Sequence, residues 1–346
     1  MTGKRILATG IVLCLLALWL CPVCNAATVP DISARSAIVM DRLSGTVLYE
    51  KNADQRSLIA STTKIMTGLL VCQMCDPAQK VTIPAEVCGM EGSSLYLKAG
   101  ECCTVEELLY GMMLHSGNDA AAALAIITCG SQGDFVRLMN DRAAQLGLKD
   151  THFANPHGLD SDENYSTARD LAMLSRAALD NALFAQIVAT HTRDFGDRCF
   201  VNHNKLLGRY DGADGVKTGY TKAAGRILVS SATCQGRQLV VVTIDAPDDW
   251  NDHQKLLDYG FAQFQEVVLF PQNTCLGTVP SASCNAEPIR LRADKPVKIL
   301  LLDGERPEIH LTMPRLYYET ESPRQWGKVE IRLYDRLVAV CPLTAE

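Results

Sequence analysis

Basic residues are not in excess in this chain: 33 Lys and Arg stand against 39 Asp and Glu, a net charge of −6. That balance excludes an electrostatic nucleic-acid binder and leaves no basic surface to seek anionic lipid. The longest apolar run, Ile6 to Leu20, is about 15 residues, short of the roughly 20 that span a bilayer. Cys72-x-x-Cys75 has neither a second such pair nor a histidine at ligand spacing, so no zinc site is expected, and no metal or cofactor elsewhere. There is no internal repeat and no low-complexity segment. What remains is ordinary globular material: 47% hydrophobic and 21% charged over 346 residues, enough for a large core and two domains.

The N-terminus carries an address. Lys4 and Arg5 precede the apolar run, and the small residues Ala26 and Ala27 follow it, the order of a secretory signal. Residues 1–26 are therefore assigned to a signal peptide, with cleavage expected after Ala26 or Ala27. The expected location is extracytoplasmic, with membrane association only through an uncleaved N-terminal segment. Leu20 and Val23, bulky before Cys21 and Cys24, argue against a lipoprotein. Of 14 cysteines, loss of Cys14, Cys21 and Cys24 with the signal leaves 11, an odd number that cannot all pair internally. Cys72, Cys129 and Cys341 sit in apolar company and read as small hydrophobes. Free thiols outside the membrane point to an oxygen-poor setting.

Two regions are expected in the mature chain, 34–270 and 275–346. In the first, Ala37-Ile-Val-Met-Asp41 and Thr46-Val-Leu-Tyr49 flank Leu43-Ser44-Gly45 as a hairpin. Val81-Thr82-Ile83 and Ser94-Leu-Tyr-Leu97 read as short strands. Thr104 to Glu107 and Thr167 to Asp170 read as capping boxes opening helices. Alanines from Ala120 onward suit a crowded helical core. Arg226 to Ser231 and Leu239 to Ile244 read as strands, and Leu256, Leu257, Gly260, Phe261 and Phe264 as one face of a closing helix. Beyond Phe270, prolines punctuate short alternating runs such as Val329, Ile331 and Leu333, with Asp303-Gly304 as a hairpin turn. That part reads as a small all-β domain, and no long amphipathic helix closes the chain.

One stretch carries chemistry. In Ser61-Thr62-Thr63-Lys64 a hydroxyl and an amine lie three residues apart at the start of a helix whose apolar positions, Ile65, Met66, Leu69 and Leu70, predict an amphipathic face. A serine nucleophile needs such a neighbouring base. A lone copy carries little weight. Downstream, however, come Ser116-Gly117-Asn118 and then Lys217-Thr218-Gly219. A second Ser-x-Asn, at Ser283-Cys284-Asn285, falls out of order and is set aside.

The ordered set Ser-x-x-Lys, Ser-x-Asn, Lys-Thr-Gly behind an export signal resembles the penicillin-binding proteins and related β-lactamases. Asn155-Pro-His-Gly-Leu159, Tyr165-Ser-Thr-Ala-Arg-Asp170 and Lys217-Thr-Gly-Tyr-Thr221 narrow the resemblance to the D-alanyl-D-alanine carboxypeptidases of peptidase family S11, over roughly Ala34 to Phe270. The resemblance implies an α/β (α+β) fold of the serine β-lactamase/DD-peptidase type: an antiparallel sheet flanked by helices, a helical lobe, and a small all-β domain after it. It implies release of the terminal D-alanine from peptidoglycan stem peptides, and covalent binding of β-lactam antibiotics such as penicillin. Ser61 is then the nucleophile, Lys64 its base and Ser116 a proton relay. Asn118, Lys217, Thr218, Gly219, Tyr220 and Thr221 hold the substrate, with the Ser61 and Tyr220 N–H groups as oxyanion hole.

Four competing readings share these residues. DD-endopeptidase and transpeptidase use the same catalytic set. A class A β-lactamase needs a glutamate in a Glu-x-x-Leu-Asn context, and none lies between Asn118 and Lys217. A non-catalytic peptidoglycan-binding protein has no need of the intact set. The chain departs from the family before the closing helix, where Asp248-Asp249-Trp250-Asn251 stands in place of a basic residue near the substrate carboxylate. Arg226 is the candidate substitute, against a reading as a strand-end surface residue. His157, Tyr165 and Asp170 read as structural, and Asp160, Asp162 and Glu163 as a solvated acidic patch.

Overall fold

The computed structural model describes residues 28–281, 287–315 and 326–345. The signal segment and Ser283-Cys284-Asn285 lie outside the described residues. A five-stranded antiparallel sheet forms the centre: β1 (Ser36–Asp41), β2 (Val47–Lys51), β3 (Ala213–Thr221), β4 (Gly225–Cys234) and β5 (Arg237–Ile244). Their spatial order is β2-β1-β5-β4-β3, so β3 is an edge.

The sheet is covered on both faces, and the two-residue side-chain period sorts its residues between them. Ile38 and Met40 of β1 join Val240 and Val242 of β5 in the larger core, against the helices. Ala37, Val39, Leu239 and Val241 turn the other way, onto Leu256 and Leu257 of α7 (Asp249–Phe261). Each valine, leucine, isoleucine or methionine among them, wholly buried, stabilises the fold by about 1.5–3 kcal/mol.

The helical lobe is built around α1 (Lys64–Met74), with α2 (Val105–Leu114), α3 (Asn118–Cys129), α4 (Gln132–Gln145), α5 (Ala168–Ala178) and α6 (Ala182–Ala189). Spacing predicts an amphipathic α1, but all eight residues from Lys64 to Val71 are buried. It is the central helix of the lobe, surrounded by α2, α3, α5 and α6. Ala120 to Ala123, all wholly buried, let α3 approach closely.

Thr104 and Thr167 cap α2 and α5 through their side-chain oxygens, but neither box is reciprocal. Glu107 turns to Arg198, and Asp170 to the Asp150 N–H and the Thr151 hydroxyl. Ser94-Leu-Tyr-Leu97, read as a strand, is a loop: its donors go to the carboxylate of Asp119 instead of to a neighbouring strand.

The C-terminal part pairs Gln265–Phe270 with Val297–Leu301, and orders five further strands beside them. Val329, Ile331 and Leu333 fill its core as their alternation predicts. The turn at Asp303-Gly304 has the left-handed glycine expected, φ +81°. It joins strands of different sheets, however, and so makes no hairpin. The two parts meet at Arg237, buried between Asp41 of β1 and Glu305, which it binds through both carboxylate oxygens. The ten described cysteines are free, and burial pushes the Cys72 thiol up to about 12.

Candidate active site

Ser61 lies in a 3₁₀ turn, Ala60–Thr63, and Lys64 is the first residue of α1. In a 3₁₀ turn side chains three apart eclipse one another, which stacks the amine over the hydroxyl more directly than an α-helix would. Lys64 Nζ is 3.0 Å from Ser61 Oγ and 2.7 Å from Asn118 Oδ1, and it also donates to the His157 carbonyl. Asn118 is held in this orientation because its Nδ2 donates to the Glu91 carbonyl at 2.7 Å.

The partner set has a chemical consequence. A carbonyl and an amide oxygen only accept, so they take two N–H protons whatever the charge state of the lysine. The third partner is a hydroxyl, which can donate. A neutral Lys64 therefore aims its lone pair at the Ser61 proton. Burial, then the charge of Lys217, holds the Lys64 amine well below its usual range, with Asp119 opposing. Lys217 is itself buried, and burial lowers it to about 7.

The loop Asn155-Pro-His-Gly-Leu159 clamps this arrangement. Asn155 Oδ1 accepts from the Gly158 N–H at 2.6 Å, and Thr67 Oγ1 donates to the Pro156 carbonyl at 2.6 Å. Gly158 has φ +88°, and a Cβ there would lie 2.0 Å from the Ala60 carbonyl oxygen. Only glycine fits so close to the backbone of Ser61. Burial and the Lys64 charge lower His157 to about 4, so it is a neutral ring whose Nδ1 accepts from Leu159.

Lys217, Thr218, Gly219, Tyr220 and Thr221 all lie on edge strand β3. A Cβ at Gly219 would come within 3.3 Å of the Ser61 nitrogen, so the strand runs directly alongside the nucleophile. Lys217 Nζ donates to the Thr218 carbonyl at 3.0 Å. Ser116 holds a left-handed backbone, φ +66°, which costs a non-glycine residue about 1 kcal/mol or more. Two clefts meet at Ser61. One, of about 360 Å³, is lined by Ser116, His203, Thr218, Arg226, Asp249 and Trp250 among others. The other, of about 600 Å³, includes Glu91, Asn118, Leu159, Asp160, Thr221 and Lys222.

The acidic stretch before α7 takes an unexpected role. Asp249 is buried, and both its oxygens accept from Arg226 Nη2, at 2.9 and 3.0 Å. Arg226 is therefore a cleft residue braced from behind, not a stray strand-end surface charge. Tyr165 and Asp170 are structural, as expected, although Asp170 does not cap its helix as the sequence suggests: Tyr165 pairs with Leu58 and His152, and the Asp170 carboxylate holds the Asp150 N–H and the Thr151 hydroxyl.

Sequence reasoning missed Asp119 and His203. Asp119, buried, accepts from Ser94 Oγ and from the backbone of Leu95 and Leu97, shaping the loop beside Ser93. Its one signal is an acidic residue directly after Ser-x-Asn. His203 lines the smaller cleft with its ring centroid 5.0 Å from that of His115; burial, then Lys217 and His115, lower it to about 4.

Comparison with known proteins agrees with this geometry. A family model for the D-alanyl-D-alanine carboxypeptidases, peptidase S11, matches residues 24–248. The chain is 37% identical over 285 residues to D-alanyl-D-alanine carboxypeptidase DacF of Bacillus subtilis, covering 79% of this chain and 73% of that one. Among solved structures, penicillin binding protein 5 from Haemophilus influenzae superposes with a TM-score of 0.67 at 29% identity, over 92% of this chain and 98% of that one. The Streptomyces K15 DD-transpeptidase gives a TM-score of 0.65 at 36% identity, over 68% of this chain and all of that one, 100%.

Proposed function

The chain belongs to the D-alanyl-D-alanine carboxypeptidase family and is a serine-type D-Ala-D-Ala carboxypeptidase; on that premise we propose how its own residues divide the work on a peptidoglycan stem peptide. Membership carries D-Ala-D-Ala peptides as substrates and penicillin as a ligand.

Neutral Lys64 takes the Ser61 proton as Oγ attacks the carbonyl between the two D-alanines. The tetrahedral oxyanion sits on the N–H groups of Ser61 and Tyr220, each donor worth several kcal/mol in the transition state (about 3–4). The proton passes from Lys64 through Ser116 to the leaving amine, the C–N bond breaks, and D-alanine departs from the smaller cleft. There Thr218, Lys217 and the braced Arg226 meet its carboxylate. Water, deprotonated by Lys64, then frees the acyl group and restores Ser61.

The observation that carries this reading is the Lys64 amine, buried without a carboxylate partner among the described residues and 3.0 Å from Ser61 Oγ. The test is release of free D-alanine from a stem pentapeptide. The wild type releases it, and Ser61→Ala loses the activity by roughly 10³-fold or more. Release by Ser61→Ala at the wild-type rate contradicts the assignment.

Similarity to a DD-transpeptidase favours a second outcome at the same site, in which an amine takes the acyl group in place of water. Adding glycine to the pentapeptide assay separates the two, since transfer gives a glycine-terminated peptide and hydrolysis does not. The enzyme acts outside the cytoplasmic membrane in this reading. Its test is fractionation: the protein is expected in the envelope or medium with an N-terminus after Ala26 or Ala27, a start at Met1 would mean an uncleaved anchor, and recovery only from the cytoplasm contradicts the reading. Thiol titration of the same sample finds free cysteines if the surroundings are oxygen-poor, and nearly complete disulfide formation sinks that idea.

A further inference from the structure

We propose that a one-residue bulge at Asp214 of β3 aims Lys217 at the nucleophile, and that Asp214 is a positioning residue for acylation. This rests on the carboxypeptidase reading and deepens it.

Ser231 of β4 stands opposite Gly215 of β3, but the next residue of β4, Ala232, stands opposite Ala213, so Asp214 is an extra residue. Side chains alternate between the faces of a strand, and a shift of one residue sends all that follow to the other face. Ala213 packs with Ala232 in the core under α7. Regular alternation from Ala213 would put Gly215, Lys217 and Gly219 on that same face, away from Ser61. They lie on the other face. Lys217 is opposite Val229 and Gly219 opposite Ile227, both in the core of the helical lobe. The change of phase is visible at Ser231, which both Asp214 and Gly215 face. Its hydroxyl donates to Asp214 Oδ1 at 2.6 Å, and a Cβ on Gly215 would lie 2.8 Å from the same oxygen.

As an edge, β3 has one sheet neighbour to fix its register. The Asp214 carboxylate supplies a second restraint. Besides Ser231, the Thr233 hydroxyl of β4 and Gln238 Nε2 of β5 donate to its Oδ2, the latter at 2.8 Å, so one side chain ties three strands together at the bulge. Asn204, itself buried, donates from Nδ2 to the Gly215 carbonyl at 2.8 Å. Bulges recur beside active sites because they re-aim a side chain. Asp214 lines neither cleft at Ser61, so its effect on the reaction passes through Lys217.

The charged and titratable groups facing Lys64 are Lys217 of β3, Asp119 of α3 and His157 of the clamping loop. Displacing Lys217 takes a cation away and raises the proton affinity of Lys64. Acylation by penicillin, which needs neutral Lys64, then begins at higher pH. A loss of folded protein lowers the rate without moving that rise along the pH axis.

The experiment measures penicillin acylation against pH, and urea unfolding, for the full-length enzyme and for Asp214→Ala, Asp214→Asn and Ser231→Ala. Asp214→Ala is expected to acylate about 10- to 100-fold more slowly, the cost of a displacement of about 1 Å at a positioned group, with its rise at higher pH. Asp214→Asn restores most of the rate and the position of the rise. It keeps an acceptor, and the Ser231 and Thr233 hydroxyls can turn to accept from its amide. Ser231→Ala removes one of three donors and moves the rise less, in the same direction. If Asp214→Ala is less stable but acylates at the wild-type rate with its rise in place, Asp214 is merely structural and the proposal is overturned. If Asp214→Ala does not fold, Ser231→Ala decides: a rate and rise identical to the wild type overturn the proposal. Absence of acylation in the wild type overturns the carboxypeptidase reading itself, a distinguishable failure.

Discussion

Lys64 Nζ stands 3.0 Å from Ser61 Oγ at the junction of a 3₁₀ turn and the central helix. The nearest candidate counter-charge, Asp119, spends its carboxylate on the loop from Ser94 to Leu97. The lysine is thus buried with acceptors and no ion pair, which is what lowers its proton affinity. Acylation by penicillin should therefore rise with pH, along a limb centred well below the ordinary lysine value of 10.5. Lys217→Gln removes a neighbouring positive charge and so moves that limb to higher pH, separately from any loss of amplitude. A limb in the same place in both proteins contradicts the electrostatic account.

Gly158 supports the nucleophile through its lack of a side chain. In Gly158→Ala the new Cβ meets the Ala60 carbonyl oxygen at 2.0 Å, in a left-handed backbone of φ +88°. We expect a loss of about 1–3 kcal/mol in stability from the backbone strain alone. Acylation should also slow, because relief of the clash moves Ser61. Urea unfolding and penicillin labelling read the two effects. Unchanged labelling would separate Gly158 from the site.

Asp119→Asn keeps the shape of the side chain but turns one acceptor into a donor facing Ser94, Leu95 and Leu97. An unsatisfied buried donor costs about 1–3 kcal/mol. The loop beside Ser93 should loosen, and acylation should fall by about tenfold or more, since displacement of about 1 Å at a positioned group costs up to 100-fold. Because Asp119 also raises the Lys64 pKa, the pH limb should move slightly down in this variant. A merely structural role would leave the limb where it is.

His253 of α7 is wholly buried against β4 and β5, with Ser230 Oγ 2.6 Å from Nδ1 and Thr243 Oγ1 2.8 Å from Nε2. Burial lowers it to about 3 from an ordinary 6.5. The folded state therefore refuses a proton that the unfolded chain accepts. Its contribution is complete above pH 6.5 and is lost as pH falls from there towards about 3, at about 1.4 kcal/mol per pH unit. His157 and His203, both lowered to about 4, act in the same direction. Urea midpoints measured across that range should drop steeply, and less steeply in His253→Gln. A flat midpoint would contradict this.

Much of the site is legible in the sequence because it is local. Ser61 and Lys64 are three apart, and Lys217 to Thr221 follow one another along a single strand, so spacing alone groups them. Ser116 and Asn118 need their order relative to the other motifs. What spacing cannot reveal is where a distant charge ends up. Asp249 reads as an unfavourable acid at the substrate carboxylate until β4 brings Arg226, 23 residues away, onto both its oxygens. Asp119 looks like an ordinary helix-start residue, since its partners lie 22 to 25 positions back in a segment that itself reads as a strand. In the fold, β1 reads in the sequence only as a strand of a hairpin, and the helices that cover its sheet come from the family resemblance. The burial of α1 on every side is not predicted, because Lys64 and Thr67 count as polar until their partners are known.

The most direct measurement is the mass and position of the penicillin adduct. Brief incubation with benzylpenicillin, followed by proteolysis and mass spectrometry, should place one covalent acyl group on the peptide bearing Ser61. Ser61→Ala should carry none, and Lys64→Met should form it more slowly by roughly 10²-fold or more, the usual worth of a general base. An adduct on another residue, or one formed at the wild-type rate in Ser61→Ala, would contradict the account.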